Sequence, residues 1–290
     1  MSTSAKPRMK SRANAAVRIE LIDVDGVTLR VATRPGHSGT PLLVFNGIGA
    51  NLELVLPFID ALAEREAIVY DMPGTGRSPM WLLPRRFSGI ARLTEKLLDR
   101  LGYGIVDVAG VSWGGAVAQQ FARQCAGRVR RLILAATSAG AVMVPGRPQA
   151  LLKMTTPQRY LSPAYMQRAA ADIYGGEVRG RPELISAHTA RVIPPQLIGY
   201  VFQLLAGVGW TSIHWLHKLK QPTLVMAGSD DPLVPPVNAR ILSLLIPNNR
   251  LHIVAGGGHL FMLHCLDEVV PVIREFLDAP DAAAAVGTAA

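Results

Sequence analysis

The sequence predicts an α/β protein: a mostly parallel central sheet with helices on both faces and an inserted helical cap. Three observations lead to this fold class. Short apolar runs alternate with segments of helical periodicity along most of the 290 residues, as in parallel sheets that are buried on both faces. A hairpin-like pattern precedes the first run. Between about residues 139 and 216 the alternation stops, and it then resumes.

The first two predicted strands are antiparallel and lie at 17–24 and 27–34. Apolar residues nearly alternate in both segments, and Asp25 and Gly26 stand between them. An Asp-Gly pair between two alternating runs is typical of a tight hairpin. We therefore expect the sheet to begin with an antiparallel pair.

Six apolar runs follow the hairpin and are predicted to be parallel strands. They are residues 41–47, 67–74, 105–112, 129–138, 222–231 and 249–259. Helical periodicity predicts helices at 52–64, 88–102, 113–125, 236–246 and 267–279. We expect Ser88 to cap the start of the second helix and Gly102 to end it. Ligands of such sheets bind at the carboxyl ends of the strands, so functional residues are expected there.

The predicted domain organisation is a single core interrupted by the cap. The core comprises residues 17–138 and 217–279. The cap comprises residues 139–216, which are rich in Met, Tyr, Trp and Pro and contain helical pieces. The basic segment 1–16 and the Ala-rich segment 280–290 are expected to be disordered tails.

Composition restricts the classes of protein to which the chain can belong. It is 49% hydrophobic and 18% charged, with a formal net charge of +9. No apolar stretch is long enough for a membrane span, and none follows the basic tail as in a secretory signal. No nucleic-acid-binding module follows that tail either, so we expect no nucleic-acid partner. Two cysteines, Cys125 and Cys265, suit buried free thiols in a reducing compartment, which indicates a cytoplasmic protein.

A candidate nucleophile, Ser112, lies where a predicted buried strand meets a helix. The segment Gly110-Val-Ser112-Trp-Gly114 fits the pattern G-x-S-x-G in the strand-turn-helix context that this pattern requires. The turn is so tight that side chains at the flanking glycines would clash with neighbouring elements. The alternative is a chance match, because small residues recur in turns between strands and helices.

A serine nucleophile needs a base and an orienting acid, and candidates for both follow further along the chain. The base candidate is His259, which follows three glycines after the run HIVA. The acid candidates are Asp230 and Asp231, which follow the strand-like run TLVMA; either could instead be a residue that caps a turn. Two backbone amides are also expected to bind the oxyanion. We assign these to Trp113, directly after Ser112, and Ile48, in the segment NGIG.

A metal site is not expected. His214 and His217 stand three residues apart in a predicted helix and could imitate a metal-binding pair, but no cluster of acids accompanies them.

The chain resembles the α/β-hydrolase superfamily over residues 17–279. The motifs that carry this resemblance, in chain order, are NGIG, DMPGTGRS, GVSWGG, GSDDP and GGGH. The resemblance is close to the intracellular medium-chain-length polyhydroxyalkanoate depolymerases, and it extends to the cap segments AGAVMVPG, YGG and GWTSIHWLHK. Asn46 stands, as in those depolymerases, where many superfamily members carry histidine. Loops of the family place the acid three residues after a glycine, so the resemblance assigns Asp231 rather than Asp230.

The resemblance implies hydrolysis of a stored aliphatic polyester to 3-hydroxy acids inside the cell. Ser112, His259 and Asp231 would form the catalytic triad, and no cofactor would be required. A serine at position 112 argues against the related polyester synthases, dehalogenases and epoxide hydrolases. Two alternatives remain: a broader lipase or carboxylesterase with the same catalytic residues, and a non-catalytic receptor or granule-coat protein on the same scaffold.

One apolar loop is a candidate surface for binding the polyester granule. The segment PMWLLPRRF at 79–87 places Trp81, Leu82 and Leu83 in a loop bounded by prolines. Exposed apolar patches often mark interaction surfaces. We expect these three side chains to dock the protein on the hydrophobic granule; the competing interpretation is a loop tucked beneath the cap.

Overall fold

An eight-stranded sheet lies at the centre of the computed structural model, which describes residues 16–155 and 158–280. Its strands are Arg18–Val24 (β1), Val27–Arg34 (β2), Ser38–Phe45 (β3), Arg65–Tyr70 (β4), Val106–Val111 (β5), Val129–Ala135 (β6), Thr223–Gly228 (β7) and Asn249–Val254 (β8). Their spatial order is β1-β2-β4-β3-β5-β6-β7-β8. The pairings β1/β2 and β2/β4 are antiparallel and all others are parallel. The predicted hairpin and the six predicted parallel strands are thus confirmed.

The hairpin turn has the predicted chemistry. Val24 pairs with Val27, and the two residues between them, Asp25 and Gly26, have φ values of 54° and 78°. A two-residue turn with positive φ at both positions matches the right-handed twist of the strands that it joins. Asp23 strengthens the turn by accepting a hydrogen bond from the Gly26 amide at 3.1 Å.

The helices follow the strands in the predicted alternation. They are Leu56–Ala61 (α1), Phe87–Leu101 (α2), Trp113–Gln124 (α3), Pro148–Thr155 (α4), Gln158–Leu161 (α5), Pro163–Tyr174 (α6), Pro182–Thr189 (α7), Leu197–Gly207 (α8), Pro236–Leu245 (α9), Phe261–His264 (α10) and Leu266–Asp278 (α11). Helix α2 ends as predicted at Gly102, whose φ of 78° is the left-handed conformation of a helix C-cap.

Both faces of the sheet are covered, as the sequence predicts. Along β3, Leu43 and Phe45 join the apolar cluster formed with α2, α3 and α9, whereas Leu42 and Val44 join the cluster formed with α1 and α11. Successive side chains of a strand point to opposite faces, so a strand between two cores is apolar throughout.

The predicted N-cap at Ser88 is wrong by two positions. Helix α2 begins at Phe87 and Arg86 is its N-cap residue, with no side-chain capping bond. Phe87 is buried and its ring packs edge-on against the rings of Trp113 and Trp210. Burial of this aromatic side chain therefore decides where the helix starts, and the capping propensity of serine does not.

Helices α4 to α8 lie between β6 and β7, in the part of the chain where the sequence predicts a cap. Residues 139–216 are called the inserted segment below. Part of it has a small apolar cluster of its own, which includes Met166, Ile173 and Ile185 and is completed by Leu233 from the core. Other residues of the inserted segment, among them Ala139, Ala206 and Trp215, belong to the apolar cluster that covers the α2/α3 face of the sheet, so the segment has a small core of its own and also packs on the main core.

Residues 1–15 and 281–290, where the sequence predicts disordered tails, lie outside the described residues. Within the described ranges, no helix has both the length and the apolar character needed to cross a membrane. The prediction of buried free thiols holds for Cys125. Cys265 is also a free thiol, but it is half-buried and not buried as predicted, and it donates its thiol hydrogen bond to Glu177 at 2.7 Å.

Candidate active site

Ser112 occupies a strained turn between β5 and α3. Its φ of 55° and ψ of −121° lie in a region that residues with side chains seldom adopt. The flanking glycines permit this turn. A Cβ at Gly110 would lie 2.5 Å from the Gly114 carbonyl oxygen, and one at Gly114 would lie 2.3 Å from that of Phe45. The turn thereby holds the Ser112 hydroxyl at the carboxyl end of the sheet.

The structure brings the three predicted triad side chains into one hydrogen-bonded chain. His259 Nε2 lies 3.0 Å from Ser112 Oγ, and His259 Nδ1 lies 2.7 Å from Asp231 Oδ2. The imidazole and the carboxylate are almost completely buried. A neutral imidazole bonded in this way donates from Nδ1 to the carboxylate, which leaves Nε2 free to accept the serine proton.

Asp231 and its neighbour Asp230 have different partners. Asp231 Oδ1 accepts hydrogen bonds from the amides of Leu233 and Val234, both at 2.9 Å, which leaves Oδ2 for the imidazole. Asp230 instead accepts the Gly176 amide at 2.9 Å and pairs with Arg179 at 2.5 Å. The second carboxylate therefore links the end of β7 to the inserted segment.

The inserted segment also fixes the position of His259. The His259 amide donates to the Tyr174 carbonyl at 2.7 Å. The Tyr174 ring lies nearly parallel to the imidazole, with 6.5 Å between ring centroids. One tyrosine at the end of α6 thus restrains both the backbone and the ring of this histidine.

The predicted oxyanion loop passes directly beside Ser112. A Cβ placed on Gly47 would lie 3.9 Å from the Ser112 Cβ. Among the described residues, the amides of Ile48 and Trp113 have no protein acceptor. Asn46 stabilises the loop by accepting from the Gly47 amide at 2.9 Å and by donating to the carbonyl of a nearby residue. Two unpaired amides beside a candidate nucleophile are the arrangement that an oxyanion requires.

Asp71, from the motif DMPGTGRS, is a buried carboxylate that bonds the chain just after this loop. Its buried carboxylate accepts the Leu52 amide at 2.6 Å and the Arg77 amide at 3.0 Å, and it pairs with Arg30. Burial raises the pKa of Asp71, while these donors act in the opposite direction. This carboxylate outside the triad therefore joins the start of the short helix at Leu52, three residues after the NGIG segment, to Arg77 and Arg30.

Two pockets adjoin Ser112. The first, called the tyrosine pocket, contains about 670 Å³ including its mouth and is lined by Ser112, His259, Ile48, Arg159, Tyr160 and Tyr174 among others. The second, called the tryptophan pocket, is lined by Ser112, Phe87, Trp113, Met143 and Trp210 among others, and it opens more widely to solvent. An ester held at Ser112 therefore has separate space for its two sides.

Sequence reasoning missed several residues of the tyrosine pocket. Tyr160 donates its hydroxyl to the Ile48 carbonyl at 2.5 Å, and Arg159 lies nearby in the same short helix. His188 also lines the pocket, and burial lowers its pKa to about 4. The aromatic content of the inserted segment was the sole signal for Tyr160 and Tyr174, and no pattern marked Arg159 or His188.

The predicted docking loop is only partly exposed. Leu82 and Leu83 are 94% and 74% exposed, as expected of a surface contact. Trp81 is only 8% exposed and belongs to the apolar cluster around α2, with the Arg85 guanidinium 5.3 Å from its ring centroid. The prediction is therefore wrong for Trp81, because its indole is buried in the core.

Metal-binding clusters are absent from the part of the chain that the structure describes. His214, one of the two histidines at helical spacing, packs edge-on against Trp215. His214 is exposed and lies in a turn, while His217 lies in the short 3₁₀ helix Leu216–Lys218, so the predicted helix carrying both histidines is wrong.

Comparison with known proteins places these features in a family. Residues 42–272 match the model of the alpha/beta hydrolase family. Over 258 residues the chain is 54% identical to a poly(3-hydroxyalkanoate) depolymerase from Ectopseudomonas oleovorans, an alignment that covers 88% of this chain and 91% of the relative.

Solved structures show the same fold at low sequence identity. The enol-lactonase from Burkholderia xenovorans LB400 superposes with a TM-score of 0.77 at 19% identity, covering 90% of this chain and all of that one. A meta-cleavage product hydrolase from Pseudomonas fluorescens IP01 gives a TM-score of 0.76 at 19% identity, covering 89% of this chain and 97% of that one. With the family match spanning most of its length, the chain belongs to the alpha/beta hydrolase family.

Proposed function

We propose that the chain is a serine hydrolase that cleaves the ester bonds of medium-chain-length poly(3-hydroxyalkanoate) and releases 3-hydroxy acids. The observation that carries this proposal is the hydrogen-bonded chain from Ser112 through His259 to Asp231, which opens onto two largely apolar pockets. The 54% identity to a protein named poly(3-hydroxyalkanoate) depolymerase supports the choice of polyester.

Hydrolysis proceeds in two steps through an acyl-enzyme. Ser112 Oγ attacks the ester carbonyl while His259 Nε2 takes the serine proton and then gives it to the leaving alcohol. Asp231 holds the imidazole in the required tautomer and stabilises its protonated form. A water molecule then attacks the acyl group, with His259 again acting as base, and the free acid leaves.

The amides of Ile48 and Trp113 stabilise the negative oxygen of both tetrahedral intermediates. Removal of one such donor typically costs about 2.7–4 kcal/mol of transition-state stabilisation. Both amides lack a protein acceptor within the described residues, which keeps them available for the substrate. No cofactor takes part in this scheme.

The inserted segment, residues 139–216, serves as a cap over this site. Helix α5 supplies Tyr160, which bonds the Ile48 carbonyl, and α8 supplies Gln203, which accepts the Gly49 amide at 2.9 Å. Apolar surfaces of the two pockets accommodate the alkyl side chains of the polymer. The protein acts in the cytoplasm, at the surface of the storage granules.

Docking on the granule uses Leu82, Leu83 and the adjacent exposed face of α8. The exposed apolar residues of α8 and its end are Leu197, Ile198, Val201, Leu204, Leu205 and Val208. The loop and the helix are continuous, because Arg86 donates to the Val208 carbonyl and the backbones of Gly74 and Gly199 are in contact. A continuous apolar surface of this kind suits a water-insoluble polyester.

Granule partitioning tests this surface. Replacing both Leu82 and Leu83 with Ser is expected to weaken binding to amorphous granules about tenfold or more, because each leucine loses apolar contact with the polymer. Leu244→Ser in α9 is the matched control, since Leu244 is 84% exposed. Equal partitioning of the double variant, the control and the wild type would overturn the docking proposal.

Product analysis tests the activity itself. Purified protein is incubated with amorphous poly(3-hydroxyoctanoate), with amorphous poly(3-hydroxybutyrate) and with a soluble p-nitrophenyl ester. We expect 3-hydroxy acids from the first polymer at a higher rate than from the second. Hydrolysis of the soluble ester alone would indicate a broader carboxylesterase, and failure to label Ser112 with a phosphonate would indicate a non-catalytic protein.

A further inference from the structure

An arginine, Arg159, is buried beside the candidate nucleophile. Arg159 is 4% exposed, lies in α5 and lines the same pocket as Ser112 and His259. An arginine is unexpected in the lining of a pocket for neutral esters, because burying a cation costs free energy unless an anion pairs with it.

The charge of Arg159 has no carboxylate partner in residues 16–155 and 158–280. Its contacts are the hydroxyls of Tyr174 and Tyr200, at 3.4 and 3.2 Å, and the Ile48 carbonyl at 3.4 Å. Its guanidinium carbon also lies 4.3 Å from the centroid of the Tyr160 ring. The three hydrogen bonds are longer than the roughly 2.7–2.9 Å of charge-assisted bonds, and Nε has no acceptor. The guanidinium is therefore under-satisfied by the protein.

A carboxylate is the ligand that best satisfies such a group. Arginine binds carboxylates through a planar fork of donors, and pairing in a dry pocket offsets the cost of burying the charge. The ester bonds of a polyhydroxyalkanoate are neutral, but each chain has one free carboxylate, at one end. Under the proposed function, an anion site in this pocket selects that chain end.

The position of His259 indicates that this end of the chain enters the tyrosine pocket. His259 must protonate the leaving alcohol, and of the two pockets it lines the tyrosine pocket. The alcohol side of the ester therefore faces Arg159, while the acyl side faces Trp113 and Trp210. In a poly(3-hydroxyalkanoate), the alcohol side of every ester bond leads towards the free carboxylate.

We propose that Arg159 binds the terminal carboxylate of the polyester, so that cleavage proceeds from the carboxyl end of the chain. This inference rests on the proposed function. Ser112 Oγ forms a bond to the ester carbonyl carbon, the bond from that carbon to the alkoxy oxygen breaks, and the serine proton passes through His259 to that oxygen. The leaving unit is a 3-hydroxy acid whose carboxylate is unchanged by the reaction.

A pair of soluble dimers tests the proposal. One is the linear ester dimer of 3-hydroxyoctanoate with a free carboxylate, and the other is the same dimer with that carboxylate converted to an N-methylamide. Because hydrogen bonds to charged groups are stronger than those between neutral groups, the wild type is expected to prefer the free acid about tenfold or more in kcat/KM, and the difference should lie in KM. Cleavage of the internal ester is followed by mass spectrometry.

Substitution then assigns the preference to Arg159. Arg159→Met is expected to reduce the ratio of the two kcat/KM values to about one, and Arg159→Lys is expected to retain part of it. Arg168→Met is the matched control, because Arg168 is exposed on α6 and should leave the ratio as in the wild type. A ratio compares two substrates of one protein, so loss of folded material does not alter it.

The outcomes separate this inference from the proposed function. Equal rates on the two dimers by the wild type would overturn the carboxylate site, whether or not the variants fold. A preference that survives in Arg159→Met would also overturn it. If instead the wild type cleaves neither dimer and releases no acid from polymer, the proposed function itself fails.

Discussion

The sheet and the inserted segment line the same cavity but contribute different kinds of side chain. The ends of the strands provide Ser112, His259 and Asp231, which are joined by hydrogen bonds of 2.7 and 3.0 Å. The inserted segment provides Arg159 and Tyr160, which contact the oxyanion loop. The candidate catalytic side chains therefore come from the sheet, whereas the inserted segment lines the space around them. Substitutions in the two regions should therefore have effects of different size and kind.

The largest effect is expected at Ser112. Under the proposed mechanism, Ser112→Ala lowers kcat by about 10⁴- to 10⁶-fold, because the alcohol oxygen that forms the acyl-enzyme is lost. The rate on a soluble ester measures this loss, and phosphonate labelling should disappear with it. Ser88→Ala in α2 is the control; a Ser112 variant that retained more than a hundredth of the activity would contradict the assignment.

A comparison of two adjacent aspartates gives the next largest effect. Asp231→Asn should lower kcat about 10⁴-fold, because the amide no longer favours the required imidazole tautomer. Asp230→Asn should retain most of the activity, because Asp230 bonds Gly176 and Arg179 in the inserted segment. Steady-state kinetics of both variants provide the measurement, and equal losses would show that the two carboxylates do not differ in role.

The pH dependence of stability probes the inserted segment. Burial, followed by the charges of His264, Arg159 and Arg191, lowers the pKa of His188 from 6.5 to about 4. Between these values the unfolded chain binds a proton that the folded chain does not, so this group makes the protein less stable as the pH falls from 6.5 towards 4. At 1.36 kcal/mol per pKa unit, the loss is about 3 kcal/mol.

Urea unfolding at pH 7.5, 5.5 and 4.5 measures this loss against a variant. His188→Asn should make the unfolding free energy depend less steeply on pH. Some dependence will remain, because other groups still contribute to it; His264 is one, since burial lowers its pKa as well. Identical slopes in the variant and the wild type would show that His188 titrates normally in the folded protein.

The smallest effect is expected where the two regions meet. Tyr160→Phe removes the hydroxyl that donates to the Ile48 carbonyl at 2.5 Å and so loosens the oxyanion loop. One hydrogen bond makes a net contribution of about 0.5–1.5 kcal/mol to free energy, so its loss corresponds to a decrease of up to about tenfold in kcat. Tyr103→Phe is the matched control, because the Tyr103 hydroxyl bonds Glu66 outside both pockets. If both variants showed similar kinetics, the hydrogen bond from Tyr160 to Ile48 would not contribute to catalysis.

Local pattern was sufficient to predict most of the fold and the candidates Ser112 and His259, whereas the choice of Asp231 over Asp230 needed the family resemblance. Continuous apolar runs predicted strands buried on both faces, because a strand between two cores has no polar side. The glycines around Ser112 predicted its turn, since a Cβ at either position would overlap backbone. The start of α2 at Phe87 was not predicted, because packing against Trp113 and Trp210 decided it.

The sequence by itself determined the order of strands and helices and singled out Ser112 and His259, because these depend on side-chain periodicity and on tight turns; it left Asp230 and Asp231 as alternatives, between which only the family resemblance chose. The tertiary structure alone decided that Trp81 is buried and that Arg159 lies beside the nucleophile without a carboxylate partner among the described residues. Burial and charge pairing depend on which distant segments meet. No local pattern encodes them, because contacts such as that of Arg159 with Ile48 join residues more than a hundred positions apart in the chain.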